Sequence, residues 1–159
     1  MTVVAVRDDG PALLDGYRAA VGDGPLRTLA ALARRLRGHR VVMVNSTATG
    51  GGVAEILHRL VRLMNELGVP TTWEVMPGDA RFYAITKTIH NTLHGWPGAL
   101  SEDDREYFHE VNRRAALSLA LDGDLVLIHD PQPAGLVVHR RQPGQHWVWC
   151  CHIDLSRAQ

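Results

Sequence analysis

With 159 residues, 45% of them hydrophobic, the chain has the length of one domain and can bury a core. Its 17 basic and 17 acidic residues cancel, so the overall charge does not favour nucleic acid or an anionic membrane as a partner. The longest apolar runs are far shorter than the roughly 18 residues of a membrane span, and the first residues do not resemble a signal peptide. We therefore expect a cytoplasmic protein.

The first 38 residues predict an N-terminal arm. Residues 2–6 favour a short edge strand, and residues 11–20 favour a short helix. A second helix is expected from Pro25, because apolar residues then recur every three or four positions, until Gly38. The arginines on the opposite side of this helix indicate a solvent-exposed face.

A strand, a glycine turn and a helix follow one another in the next segment. Residues 41–44 form a short apolar run without alternation, which predicts a strand of a parallel sheet covered on both faces. Apolar residues within 53–67 recur at helical spacing. Between them, Gly50, Gly51 and Gly52 allow a sharp turn and close approach of a ligand to the amides of the helix N-terminus.

Two interpretations of the glycine turn remain open at this point. It could bind an anion or a sugar hydroxyl, or it could serve only to reverse the chain. It lacks the Gly-Lys-Ser/Thr ending of a phosphate-binding loop, and its three consecutive glycines are not the spaced triad of the dinucleotide fingerprint.

The remaining segments alternate between strand and helix patterns. In chain order they are a strand at 71–76, a helix at 80–93, a helix whose capping box begins at Ser101, a strand at 124–129, a short helix at 133–139 and a strand at 145–153. The order β-α-β-α-α-β-α-β predicts an α/β fold with a Rossmann-like, doubly wound parallel sheet.

Polar residues collect where three of the predicted strands end. His129 and Asp130 end the third strand, and His152 and Asp154 follow at the end of the fourth. Ligands bind outside the carboxyl ends of parallel strands, so these side chains are expected to face one cleft with the glycine turn. A carboxylate accepts hydrogen bonds from sugar hydroxyls and an imidazole donates to a leaving oxygen. His152 is therefore the candidate catalytic residue, and His129, Asp130 and Asp154 are candidates for substrate binding.

Each of these residues also has a purely structural interpretation. His129 could cap a buried strand end, Asp130 before a proline could form a turn, and Asp154 could cap a following helix. The adjacent Cys150 and Cys151 would point to opposite faces of a strand, so we expect buried thiols and no disulfide. No HExxH or paired CxxC pattern occurs, so we expect neither a metal site nor a cofactor.

Tryptophans in the predicted strands allow sugar stacking but favour the core. Trp147 and Trp149 are two residues apart and therefore share a face of the fourth strand. A single packing role would explain both.

Several segments together resemble a known family. They are VNSTATGGGVAEILHRLVRLMNELGV, WEVMPGD, the pair His90-Asn91, IHDPQPAGL and CHIDLS. In this order they resemble the N-terminal half of trehalose synthase of the retaining glycosyltransferase type, which joins a nucleotide-activated glucose to free glucose. The resemblance extends from Arg40 to Ser156.

This resemblance implies a GT-B fold, in which two Rossmann-like domains face each other across a cleft. The first domain would hold the acceptor sugar, and the second would bind the nucleotide. Gly50, Gly51 and Gly52 would line the pocket for donor phosphate and acceptor, Asp130 would bind acceptor hydroxyls, and His152 would lie beside the transferring glucose. Same-face attack would retain the α-configuration without a protein nucleophile.

The sequence departs from the family pattern in two respects. Cys150 stands where the family has arginine, which removes a charged contact. We also expect the second domain to be absent from this chain, and we divide the chain into the arm, 1–38, and an acceptor-side domain, 39–159. We expect the chain alone to bind glucose or trehalose weakly with little or no turnover, and to use UDP- or ADP-glucose only together with a second domain.

Two other functions compete with this interpretation. One is a non-catalytic module that binds sugar or forms a homo-oligomer through a face that the missing domain would expose. The other is an independent nucleotide-binding domain, which the absent fingerprint disfavours.

Overall fold

A computed structural model describes residues 12–158 of the chain. The strand predicted at residues 2–6 lies outside the described residues. The elements are α1 (Leu13–Val21), α2 (Asp23–Arg34), β1 (Val41–Asn45), α3 (Gly52–Glu66), β2 (Thr71–Val75), α4 (Ala80–Leu93), α5 (Glu102–Ser118), β3 (Leu125–His129), a 3-10 turn (Gln132–Gly135), α6 (Leu136–Arg140) and β4 (His146–Cys150). The predicted order of strands and helices is confirmed.

The four strands form one parallel sheet in the order β2-β1-β3-β4. The chain first adds β2 on one side of β1 and then returns to add β3 on the other side. The direction of winding therefore reverses between β1 and β3, which is the switch point where doubly wound sheets bind ligands. The predicted α/β, Rossmann-like fold class, consistent with one half of a GT-B enzyme, is confirmed.

Helices cover both faces of the sheet, so β1 is buried along its whole length. Val41 and Met43 pack with Leu57 and Val61 of α3 on one face. The alternate residues of β1 pack on the other face with α5 and α6. Successive side chains of a strand point to opposite faces, which explains why the run of apolar residues in β1 does not alternate with polar ones.

The arm is attached to the domain through α3. The Glu66 carboxylate accepts hydrogen bonds from the backbone nitrogens of Leu13 and Leu14, at 2.9 and 3.0 Å, and caps the start of α1. These backbone bonds, with Leu13 the larger contributor, lower the pKa of Glu66. The division of the chain at residue 38 stays a prediction.

Helix α4 runs along the edge where the strands have their carboxyl ends. It begins after β2, where Asp79 accepts from the Phe82 backbone nitrogen at 2.8 Å. The Tyr83 hydroxyl donates to the carbonyl of Ser46, after β1, at 2.9 Å. Beyond its end, a methyl group at Gly95 would lie 2.9 Å from the carbonyl oxygen of Arg157, after β4. The helix and the turn after it thus lie beside the segments that follow β2, β1 and β4.

The last strand is shorter than predicted. It ends at Cys150, whereas the sequence predicted a strand to residue 153. The reason lies just after β3, where Asp130 adopts a left-handed backbone conformation (φ 65°) and turns the chain away. The backbone nitrogen of His152 consequently bonds to the Asp130 side chain instead of a neighbouring strand.

Two packing predictions for β4 are wrong. Cys150 and Cys151 are half-buried thiols and not fully buried ones. Trp147 packs against the core, whereas Trp149 is 46% exposed, so a shared face does not give them a shared role. Among residues 12–158, β4 has a neighbouring strand, β3, on one side only, which leaves Cys150 and Trp149 partly exposed.

Candidate functional site

The glycine turn joins β1 to α3 at the carboxyl edge of the sheet. Gly50 and Gly51 have φ values of 73° and 82°, which favour glycine strongly, and Gly52 is the first residue of the helix. All three are exposed. The N-cap residue of α3 is Gly51, which has no side chain to cap the helix, whereas Asp79 caps α4 and Ser101 caps α5. Within residues 12–158, the amides in the first turn of α3 therefore have no side-chain cap and are open to a ligand.

Local hydrogen bonds hold the segment that leads into the glycine turn. The indole of buried Trp73 donates to Asn45 Oδ1 at 2.8 Å, and Asn45 Nδ2 donates to the Thr47 carbonyl at 2.7 Å. The Thr47 hydroxyl then donates to the Thr49 carbonyl at 2.6 Å. These bonds connect the core to the turn and fix where the turn begins.

Two histidines meet between β3 and the segment after β4. Nδ1 of His129 lies 3.0 Å from Nε2 of His152, and their rings are nearly parallel, at 17°, with centroids 5.3 Å apart. His129 is only 3% exposed, whereas His152 is exposed. Burial, and then the charge of His152, lower the pKa of His129 from 6.5 to about 4. His129 is therefore neutral at physiological pH.

Asp130 connects the ends of β3 and β4 through three hydrogen bonds. Its backbone nitrogen donates to the Cys150 carbonyl at 3.0 Å, and its carbonyl accepts from the Trp149 indole at 3.0 Å. Its Oδ1 accepts from the His152 backbone nitrogen at 2.9 Å. The bonds between residues 12–158 leave its other oxygen, Oδ2, without a recorded partner, so that oxygen is available to a ligand.

The structure brings together some, but not all, of the candidate residues. His129, Asp130 and His152 are in direct contact. The glycine turn follows β1, the strand next to β3, although no hydrogen bond among the described residues joins it to the histidines.

Asp154 stands apart from this group. Its Oδ1 accepts from the backbone nitrogen of Ser156 at 2.9 Å, and the bonds with Ser156 are the main cause of its lowered pKa. Asp154 therefore forms a local turn and caps no helix in the described part of the chain.

Sequence reasoning missed the supporting role of Trp149 and Tyr83. Trp149 holds the carbonyl of Asp130, and Tyr83 holds the carbonyl of Ser46. Strand alternation predicted the face of Trp149 but not this bond, which depends on the turn at Asp130. For Tyr83 the only signal was its position on α4, four residues after the capping Asp79.

A cavity of about 380 Å³ lies away from this group, against Asp79 and α5. Its polar groups already have partners. The Asp79 carboxylate accepts from the Tyr107 hydroxyl and from the backbone of Phe82, and Arg114 pairs with Glu110 at 3.4 Å. We therefore place the candidate site at the switch point and not in this cavity.

The family described as "Trehalose synthase, N-terminal domain" matches residues 43–159, which include the glycine turn and both histidines. The chain belongs to the trehalose synthase family. The resemblance drawn from the sequence is confirmed. Within residues 12–158, none of the helices is long and apolar enough to cross a membrane.

Curated relatives share this region. A trehalose synthase of Thermococcus litoralis is 45% identical over 147 residues, covering 90% of this chain and 35% of the relative. One of Rubrobacter xylanophilus is 42% identical over 152 residues, covering 92% and 36%. A trehalose phosphorylase of Pleurotus pulmonarius is 30% identical over 157 residues, covering 89% and 21%. The chain thus spans about a third of the length of these trehalose synthases.

Proposed function

We propose that this chain is the acceptor-binding domain of a trehalose-forming glycosyltransferase. In the complete enzyme, glucose would pass from a nucleotide-glucose to free glucose with retention of configuration. The contact between His129, Asp130 and His152 at the switch point carries the proposal. It provides one unshared carboxylate oxygen and one exposed imidazole, and β1, the strand beside β3, leads to the glycine turn at the start of α3.

Asp130, His152 and the glycine turn have distinct roles in this proposal. Asp130 Oδ2 accepts from a hydroxyl of the acceptor sugar, and the His152 ring contacts the glucose being transferred. The amides around Gly52 face an oxygen of the donor phosphate or the acceptor. UDP- or ADP-glucose would bind only with a second domain. Asp154 is a weaker candidate because its oxygen is bonded to Ser156. The cytoplasmic location stays a prediction.

Sugar binding by the chain itself tests the acceptor role. Amide NMR shifts recorded with glucose, trehalose and UDP-glucose should change around Asp130, His152 and the glycine turn for the two sugars. The variant Asp130→Asn removes a charged acceptor and should weaken glucose binding by about tenfold or more.

The matched control is Asp122→Asn, because Asp122 is exposed and precedes β3 at the opposite edge of the sheet. This variant should bind glucose like the unmodified chain. Equal affinity in the Asp130 and Asp122 variants, or shifts confined to another surface, would contradict the proposed site.

The transfer reaction requires a separate experiment. The chain is combined with the remaining two-thirds of the Rubrobacter xylanophilus relative, and trehalose is measured after addition of nucleotide-glucose and glucose. We expect synthesis from the combination only. Sugar binding without turnover in any combination would instead support a non-catalytic sugar-binding module.

Trehalose phosphorolysis is a second candidate, favoured by one observation. The phosphorylase from Pleurotus pulmonarius matches over 89% of this chain. A similar domain therefore occurs in a trehalose phosphorylase as well as in trehalose synthases. Release of glucose from trehalose by the combined protein, dependent on inorganic phosphate and not on a nucleotide, would favour this candidate.

A further inference from the structure

His129 is the least exposed member of the candidate site, and the roles proposed above for Asp130, His152 and the glycine turn leave it without one. It ends β3, is 3% exposed, and contacts His152 through Nδ1. A separation of 3.0 Å between two imidazole nitrogens accommodates one hydrogen atom. One ring must therefore donate while the other accepts.

The far side of the His129 ring indicates which ring donates. Its Nε2 is buried and has no hydrogen-bond partner among residues 12–158. If His129 accepted at Nδ1, a neutral ring would carry its proton on Nε2, and a buried N–H would remain unpaired. If His129 donates from Nδ1, only a lone pair is left unpaired. Orphaned buried N–H groups are the rarer case in proteins, so the second arrangement is favoured.

We propose that His129 is a positioning residue that donates its Nδ1 proton to Nε2 of His152 and thereby holds His152 as the tautomer protonated on Nδ1. This inference deepens the proposed function and rests on it for the choice of ligand. Burial lowers the pKa of His129, so its ring is neutral at physiological pH. The two histidines can therefore share one proton without a positive charge on His129.

The consequence is a defined donor at the site. With Nε2 occupied as an acceptor, His152 presents an N–H at Nδ1, which has no recorded partner in the described part of the chain. Its backbone nitrogen is held by Asp130 at the same time. Ring and backbone are both constrained, so His152 donates to a sugar oxygen and does not accept from a sugar hydroxyl.

The tautomer can be read directly by NMR without any sugar. Long-range proton–nitrogen spectra of the side-chain imidazoles distinguish Nδ1–H from Nε2–H rings, and His152→Asn identifies the signals of His152 by their loss. We expect Nδ1–H for His152 at pH 7.5. The exposed His39 and His146 in the same spectra provide the reference for unconstrained rings.

Two substitutions at His129 distinguish a role in holding the tautomer of His152 from a role in packing alone. His129→Phe keeps a ring but removes the donor, so the His152 signals should shift towards those of the reference rings. His129→Asn keeps an N–H near the position of Nδ1 and should restore the Nδ1–H tautomer. With glucose as the probe, the Phe variant should bind several-fold to about tenfold more weakly than the Asn variant.

An Nε2–H signal for His152 in the unmodified chain would overturn the inference, even if neither variant folds. An unchanged tautomer in folded His129→Phe would overturn it as well. The expected tautomer together with no sugar binding would refute the proposed function but leave the role of His129 in place.

Discussion

At the scale of single residues, Asp130 shows why the site depends on backbone conformation as much as on side chains. A left-handed backbone is rare outside glycine, although Asp and Asn tolerate it better than other residues. At Asp130 this conformation directs the carboxylate to the backbone of His152 and the carbonyl to the Trp149 indole. A glycine there would adopt the turn but lose the carboxylate.

The free energy of unfolding should depend on pH, because His129 is buried and its pKa is lowered. Its pKa is lowered from 6.5 to about 4, so the unfolded chain takes up a proton before the folded chain does. The free energy of unfolding should fall as the pH falls from about 6.5 to about 4, by at most about 3 kcal/mol, and be unaffected by this group above that range. Urea unfolding at several pH values measures the decrease.

His129→Phe is the comparison that isolates this effect. The variant lacks the titrating ring and should lose less stability between those pH values than the unmodified chain. The buried carboxyl of Glu74 acts in the opposite sense, because burial raises its pKa, but it is present in both proteins and cancels. Parallel pH profiles would mean that His129 is protonated as readily in the folded state as in the unfolded state.

At the scale of elements, the glycine turn contains two kinds of glycine. Gly50 and Gly51 require positive φ values, whereas Gly52 is helical, and none of the three has an atom near the position of a Cβ. The three glycines therefore differ only in their backbone conformation. Space for a methyl group is equal at all three positions, so differences in stability should follow φ alone.

We expect Gly51→Ala to lower the free energy of unfolding by about 1 kcal/mol, because alanine strains the left-handed conformation. The matched variant Gly52→Ala should leave stability unchanged or raise it by up to about 0.5 kcal/mol, because alanine favours a helix. Thermal unfolding of both variants measures the difference. Equal losses would show that the positive φ of Gly51 is not needed for the fold.

Sequence patterns were informative about elements but not about how they meet. Helix α4 was predicted at 80–93 and observed as Ala80–Leu93, because Asp79 provides a cap and a glycine follows the helix. Its path over the strand ends was not predictable, since spacing along a helix does not reveal its direction in the fold. The Asp130 bonds escaped prediction for a similar reason, as they need the register of β3 against β4.

At the scale of the whole molecule, β4 is held to the rest of the sheet by more than its backbone ladder. Gln145 lies just before it and is 7% exposed. Its Nε2 donates to the carbonyls of Leu121 and Gly123 at 2.6 and 2.7 Å, and its Oε1 accepts from the Trp147 indole at 2.7 Å. Oε1 also accepts from the Gln142 backbone nitrogen at 3.4 Å, so one side chain bonds four groups near the starts of β3 and β4.

Gln145→Ala should therefore destabilise the protein by about 2 to 4 kcal/mol, because those groups lose their partner inside the protein. Gln142→Ala, at an exposed position three residues earlier, should stay within about 0.5 kcal/mol of the unmodified chain. Urea unfolding followed by tryptophan fluorescence compares them. Similar values for the two variants would show that water replaces the Gln145 bonds at little cost.

The hydrogen bonds of Asp130 also link the geometry of the candidate site to the local unfolding of strand β4. His152 and the Asp130 carboxylate keep their positions only while β4 lies against β3, and β4 is at the edge of the sheet formed by residues 12–158. A ligand that binds the assembled site must oppose detachment of this strand, by an amount that grows with the logarithm of ligand concentration. Amide hydrogen exchange in β4 would then slow when sugar binds, while exchange in β2 would not.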